Sequence, residues 1–143
     1  MADVPSHFYV QSAALPYRVV DSQIEILLVT SRRKKRWVLP KGVVEPGMSP
    51  AESAAKEAWE EAGIEGDVSP RTLGSYTYEK WSGVCTVQVF PLQVRRLAET
   101  WPEDSRDRRW YGPDEAARKV DEPELRRILS CLLYTSDAAD ELT

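Results

Sequence analysis

The chain has 143 residues, 42% hydrophobic and 29% charged, a size and balance suited to one globular domain with its own core. No apolar run nears the roughly 20 residues of a membrane span, and the opening MADVPSHFYVQSAALPYR lacks the basic-then-apolar layout of a secretion signal. The two cysteines, Cys85 and Cys131, form no CxxC pair, and His7 is the single histidine. A disulfide scaffold, a zinc site and a histidine-based triad are therefore disfavoured, and a cytoplasmic setting is expected. Any catalysis must lean on carboxylates, lysine, arginine or a metal ion.

Residues 17–30, YRVVDSQIEILLVT, alternate and then run apolar around Asp21-Ser22, which predicts two strands or one hairpin. SRRKKR (31–36) reads as a basic loop and WVLP (37–40) as a short strand ended by Pro40. KGVVEPGM (41–48) reads as a loop punctuated by Gly42, Pro46 and Gly47. The clearest helix follows. Ser49 suits the N-cap, Pro50 the first helical position and Glu52 the return arm of a capping box, while Gly63 suits the end. Ala55, Ala58, Trp59 and Ala62 fall on one side of it and are expected to pack inward, with Glu57, Glu60 and Glu61 on the other.

RTLGSYTYE (71–79) and VCTVQVFPLQV (84–94) predict strands joined by a turn at KWSG. RRWYGPDEAARKV (108–120) predicts a short strand, a turn at Gly112-Pro113 and a helix, and DEPELRRILS (121–130) starts another helix. Strands and helices mix without regular βαβ alternation, so the expected class is α+β. Trp37, Trp59 and Trp110 are expected in the core, Trp81 is a candidate for stacking on a base, and Cys85 reads as a small buried hydrophobe. The last stretch, CLLYTSDAADELT (131–143), resembles translated sequencing adapter, which gives a domain of residues 1–130 and a non-native tail of 131–143 in place of the natural C-terminus. Asp137, Asp140 and Glu141 are the only charged side chains of that tail, so the net charge of −4 becomes −1 without it. Local patches matter more than the total.

Glu57, Glu60 and Glu61 stand at i, i+3 and i+4, close enough on a helix to repel by roughly 0.2–0.5 kcal/mol per pair. Alone, such a face is usually just solvated. Preceded by a glycine-punctuated loop and a well-capped start, it suits a hard divalent cation that prefers oxygen ligands. Arg32, Arg33, Lys34, Lys35, Arg36 and Lys41 lie upstream, and Arg106, Arg108 and Arg109 downstream. Basic groups beside a divalent-metal site point to a polyanionic, phosphate-bearing small molecule, although the same run also reads as a solvated loop. Aromatic and basic residues interleave too thinly for a nucleic-acid surface, and neither nucleic acid nor membrane is expected as a partner.

The stretch GVVEPGMSPAESAAKEAWEEAGI resembles the Nudix box. Gly42 matches its first glycine, and Glu57, Ala58, Glu60, Glu61, Gly63 and Ile64 match its second half. Two positions depart: Met48 stands where the pattern has a glutamate, and Lys56 where it has an arginine. Lysine keeps the charge and loses the bidentate fork, so a looser hold on a neighbouring carboxylate is expected. Beyond the box, AALPYR, LLVTSRRKKRWVLPKG, YTYEK, FPLQV and RRWYGPDEAARKVDEPELRRIL resemble the bacterial branch related to diphosphoinositol polyphosphate phosphohydrolases.

The resemblance implies an α/β/α sandwich around a mixed sheet. It implies metal-dependent hydrolysis of a diphosphate bond in a nucleoside- or inositol-linked polyphosphate, with Mg²⁺ as cofactor and Mn²⁺ a substitute. By position, Glu57 and Glu61 would ligate the metal, Glu60 would ligate or act as base, and the Gly42 carbonyl would complete the site. Lys41, Arg32, Arg33, Lys35 and Arg36 are the candidate phosphate contacts. Some relatives place a further acid on a distant loop, for which Glu79, Glu99 and Glu103 are candidates. Met48 and Lys56 keep alive a second class, a non-catalytic module that binds a phosphorylated ligand.

Overall fold

A computed structural model describes residues 8–80 and 82–132. His7, Trp81 and most of the expected tail, residues 133–143, lie outside them. The elements run β1 (Phe8–Val20), β2 (Gln23–Thr30), β3 (Trp37–Val38), β4 (Lys41–Val43), α1 (Pro50–Ala62), β5 (Ile64–Val68), β6 (Gly74–Lys80), β7 (Gly83–Leu97), β8 (Arg108–Tyr111), α2 (Pro113–Lys119) and α3 (Pro123–Cys131). The hairpin of β1 and β2 closes through Asp21 and Ser22, both left-handed at φ 51° and 66°, a turn whose twist matches that of the strands. Helix α3 runs one residue into the stretch read as non-native.

All the strands join one mixed sheet. Its centre is a parallel pairing of β1 with β7, from Phe8 opposite Val84 to Tyr17 opposite Gln93. The other pairings are antiparallel. Strand β1 pairs with β4 through its first half and with β2 through its second. Strand β7 likewise takes β6 and then β5, and Pro91, which lacks an N–H, falls at the changeover between them.

Both faces of the sheet are covered, which is why β2 carries the continuous run ILLV rather than strict alternation. Ile26 and Leu28 point to one core with Leu15, Tyr17, Val87, Val89, Leu125 and Leu129, under α2 and α3. Leu27 and Val29 point to the other with Phe90, Leu92, Ala54 and Ala58, under α1. The expected α+β class and α/β/α sandwich are borne out.

Three sequence expectations need correction. KGVVEPGM does not begin as a loop, because Lys41–Val43 forms β4 against Gln11–Ala13 of β1. Strand β5 went unread, because IEGDV is too short and polar to show a period. Trp59 is not core: it is exposed at 36%, and the buried stripe of α1 runs through Ala51, Ala54, Ala58 and Glu61–Ala62. That stripe lies one residue off the expected one, and it brings Glu61 to the inside.

Candidate metal and polyphosphate site

The glutamate helix is fixed at both ends. At its start the capping box is complete: Glu52 N–H donates to Ser49 Oγ at 3.1 Å, and Ser49 N–H to Glu52 Oε1 at 3.0 Å. At its end Gly63 turns left-handed at φ 65° and donates its N–H to Trp59 O at 2.9 Å.

The helix borders a cavity of about 440 Å³. Glu57, Glu60 and Glu61 form one wall. Lys41, Gly42 and Val43 of β4 and Gln11 of β1 form the floor. Ser31, Arg32 and Arg36 come from the basic loop, Tyr78 and Lys80 from β6, and Glu103 and Arg106 from the segment before β8. Of the predicted phosphate contacts, Lys41, Arg32 and Arg36 line the cavity. Arg33 and Lys35 do not line it, and both are exposed.

Gly42 sits opposite Ser12 in the ladder and directly under Glu57, and a Cβ added there would run into the Glu57 carboxylate. The predicted glycine is thus required by close approach. Glu61 is 7% exposed, accepts from Lys41 N–H at 3.3 Å and lies 3.8 Å from the Arg106 guanidinium. Burial pushes its carboxyl up to about 8, against the pull of Arg106, and burial raises Glu57 as well. The neighbouring Glu57 carboxylate adds to the rise of Glu61. Burial also lowers Lys41, whose Nζ lies 5.3 Å from the centre of the Tyr78 ring.

Glu60 faces Lys56, at 3.3 Å from its Nζ, and the same ammonium is bonded to Glu45. Among the described residues no three acidic, cysteine or histidine side chains are already drawn together in metal-binding geometry. The donor set nevertheless fits a hard cation. It is all oxygen, the buried Glu61 carboxyl lies beside that of Glu57, and glycine leaves the adjacent backbone bare.

Sequence reasoning named Arg106 only as a nearby base and left Glu103 level with Glu79 and Glu99. The fold separates them. Arg106, with a side chain 9% exposed, gives Nη2 to Glu103 Oε1 at 2.7 Å and Nη1 to Thr30 O at 3.2 Å. Of the three candidate acids, Glu103 alone lines the cavity. Gln11, 4% exposed, accepts from Tyr78 Oη at 2.6 Å. Neither Gln11 nor Tyr78 carries a signal in the sequence.

A family model described as the NUDIX domain matches residues 11–131. The chain belongs to the Nudix family. Similar curated proteins include Nudix hydrolase 4 of Arabidopsis thaliana, 33% identical over 89% of this chain and 66% of the relative. Diphosphoinositol polyphosphate phosphohydrolase 3-alpha of Mus musculus is 36% identical over 80% of this chain and 70% of the relative. The chain spans just under two thirds, 66%, of the length of Nudix hydrolases 13, 12 and 4 of Arabidopsis thaliana. Among solved structures, the C. elegans Ap4A hydrolase superposes with a TM-score of 0.71 at 22% identity, over 89% of this chain and 99% of that one, a likeness of fold. The Nudix resemblance read from Gly42 and the Glu57–Ile64 stretch is thereby borne out.

Proposed function

We propose that this Nudix chain is a Mg²⁺-dependent hydrolase of a diphosphate bond in a nucleoside- or inositol-linked polyphosphate, with Mn²⁺ able to substitute. One observation carries the reading: the half-buried Glu57 and the buried Glu61 line a single cavity together with Lys41, Arg32 and Arg36. Acidic and basic groups in one cavity suit a cation and a polyphosphate together. Inositol pyrophosphates and dinucleoside polyphosphates are the first substrates to test, since one relative is named a diphosphoinositol polyphosphate phosphohydrolase and one fold neighbour an Ap4A hydrolase.

Glu57, Glu61 and the Gly42 carbonyl would hold the cation, which supplies charge neutralisation and a more acidic water. Glu60, at the more open end of the wall, ligates or takes the proton of the attacking water. Lys41, Arg32 and Arg36 hold the phosphates, and Arg106 bridges Glu61 and Glu103. Among the described residues no helix is long and apolar enough to cross a membrane. A cytoplasmic setting fits two cysteines, Cys85 and Cys131, that form no disulfide with each other. Three of the similar proteins are named mitochondrial and one chloroplastic, which makes location a direct question for imaging.

The deciding experiment follows release of phosphate or nucleotide from a panel of diphosphoinositol and dinucleoside polyphosphates, with Mg²⁺ and with EDTA, for the native chain and Glu61→Gln. Metal-dependent turnover that collapses in the variant is the expected result. Tight binding of a panel member by a folded protein without turnover would overturn it in favour of a non-catalytic binding module.

A further inference from the structure

The last carbonyls of a helix have no partner within it. In α1 they are the carbonyls behind the glutamates, and one distant segment supplies donors to them in succession. Glu103 N–H donates to Glu60 O at 3.0 Å, Trp101 Nε1 to Glu61 O at 3.0 Å, and Arg108 Nη1 to Ala62 O at 2.7 Å. Ala98 N–H then donates to Gly63 O at 2.9 Å, and Arg108 Nη2 returns to Ala98 O at 2.6 Å. The Arg108 guanidinium lies 4.1 Å over the Trp101 ring, which fixes both donors against each other. A Cβ on Gly63 would come within 2.9 Å of Arg108 and Trp101, so the glycine that ends the helix also lets this segment close on it. The segment that grips the helix end also carries Glu103 and Arg106 into the cavity wall.

We infer that residues 98–108 are a positioning clamp for the glutamate helix, with Trp101 and Arg108 as positioning residues that set where Glu60 and Glu61 stand. The inference rests on the hydrolase reading of the site. Trp101 bonds the backbone of Glu61, whose side chain faces Arg106 from the same segment, so helix end and cavity wall move as one piece. Losing the indole N–H frees that carbonyl and lets the carboxylates drift relative to Gly42. A drift of about 1 Å can cost as much as 10²-fold in rate.

The test compares the unsubstituted 143-residue chain with Trp101→Phe, which keeps a ring under Arg108 and removes only the donor. Leu129→Val, in the opposite core, serves as a variant that loosens the fold without touching the helix end. Three quantities are read: Mn²⁺ affinity by electron paramagnetic resonance, kcat and KM for diadenosine tetraphosphate or the best panel substrate, and Tm. The expected result for Trp101→Phe is a kcat lower by about tenfold, KM unchanged and weaker Mn²⁺ binding. Leu129→Val is expected to lose only Tm. If Trp101→Phe behaves like Leu129→Val, the segment is a structural brace and the positioning role is overturned. A native chain that neither binds Mn²⁺ nor turns over any substrate overturns the hydrolase reading itself, and the positioning role with it.

Discussion

Lys56 is bonded to Glu45, three residues before the Met48 that replaces the acid of the family pattern. The lysine then reaches Glu60 at 3.3 Å, so Glu45 anchors the cation that steadies one of the three site carboxylates. The two departures read from the sequence thus answer each other. Lys56→Met is expected to lower turnover by roughly ten- to a hundredfold, as losses of partners that orient metal ligands do. Its Tm should move little, since exposed ion pairs contribute about 0–1 kcal/mol. Steady-state kinetics beside thermal unfolding checks both, and unchanged kcat would remove Lys56 from the site.

The metal-free protein should lose stability as pH rises. Glu61, ordinarily at 4.5, is pushed up to about 8 by burial. Between those values the folded chain keeps a proton that the unfolded chain has released, so folding weakens with each step upward. In EDTA, Tm is expected to fall from about pH 5 to about pH 8, and the fall should be absent in Glu61→Gln. Mg²⁺ should flatten the native profile by displacing the proton, which calorimetry in two buffers reads as proton release at neutral pH. A native Tm in EDTA that climbs relative to Glu61→Gln over this range would refute the assignment.

Gly42→Ala should harm the site more than the fold. The added methyl meets the Glu57 carboxylate, a side-chain end that can swing away. Overpacking of this kind costs roughly 1–3 kcal/mol, while the displaced carboxylate no longer faces Glu61. Urea unfolding and Mn²⁺ titration on the same samples separate the two effects. Full Mn²⁺ affinity in this variant would mean that Glu57 is not a ligand.

The basic loop offers an internal control. Arg32 lines the cavity and lies 3.7 Å from Glu103, whereas Arg33 does not line it. Arg32→Ala should raise KM by about tenfold or less, the scale of one charge-assisted contact, and Arg33→Ala should leave it unchanged. Equal effects of the two would indicate a diffuse field instead of a contact.

How much of this was legible follows from where each signal resides. Helix α1 announced itself because Ser49, Pro50, Glu52 and Gly63 are local devices that act on their own backbone. The hairpin at Asp21-Ser22 and the buried run of β2 were legible for the same reason. The inward turn of Glu61 was not, because spacing along a helix fixes relative angles and leaves the absolute rotation to packing. What buries it is Lys41 from one side and Arg106 from the other, neither within the helix. Glu103 and Arg106 sit in a segment without period, and only its hydrogen bonds to the end of α1 reveal where it goes. Trp59 misled because size suggests burial, while the small Ala54 and Ala58 are what let the helix approach the sheet.

The parallel pairing of β1 with β7 has a consequence for the order of events in time. It joins residues 8–17 to residues 84–93, so the centre of the sheet cannot close until the chain has been made as far as residue 93. A nascent chain has the local caps of its glutamate helix early, while the segment beyond residue 97 that pins the helix's end comes later. Such distant pairing places refolding in the slow regime of roughly milliseconds to seconds, and stopped-flow fluorescence of the tryptophans should find its main phase there. The acidic helix is thus among the first pieces able to form and among the last to be set in place.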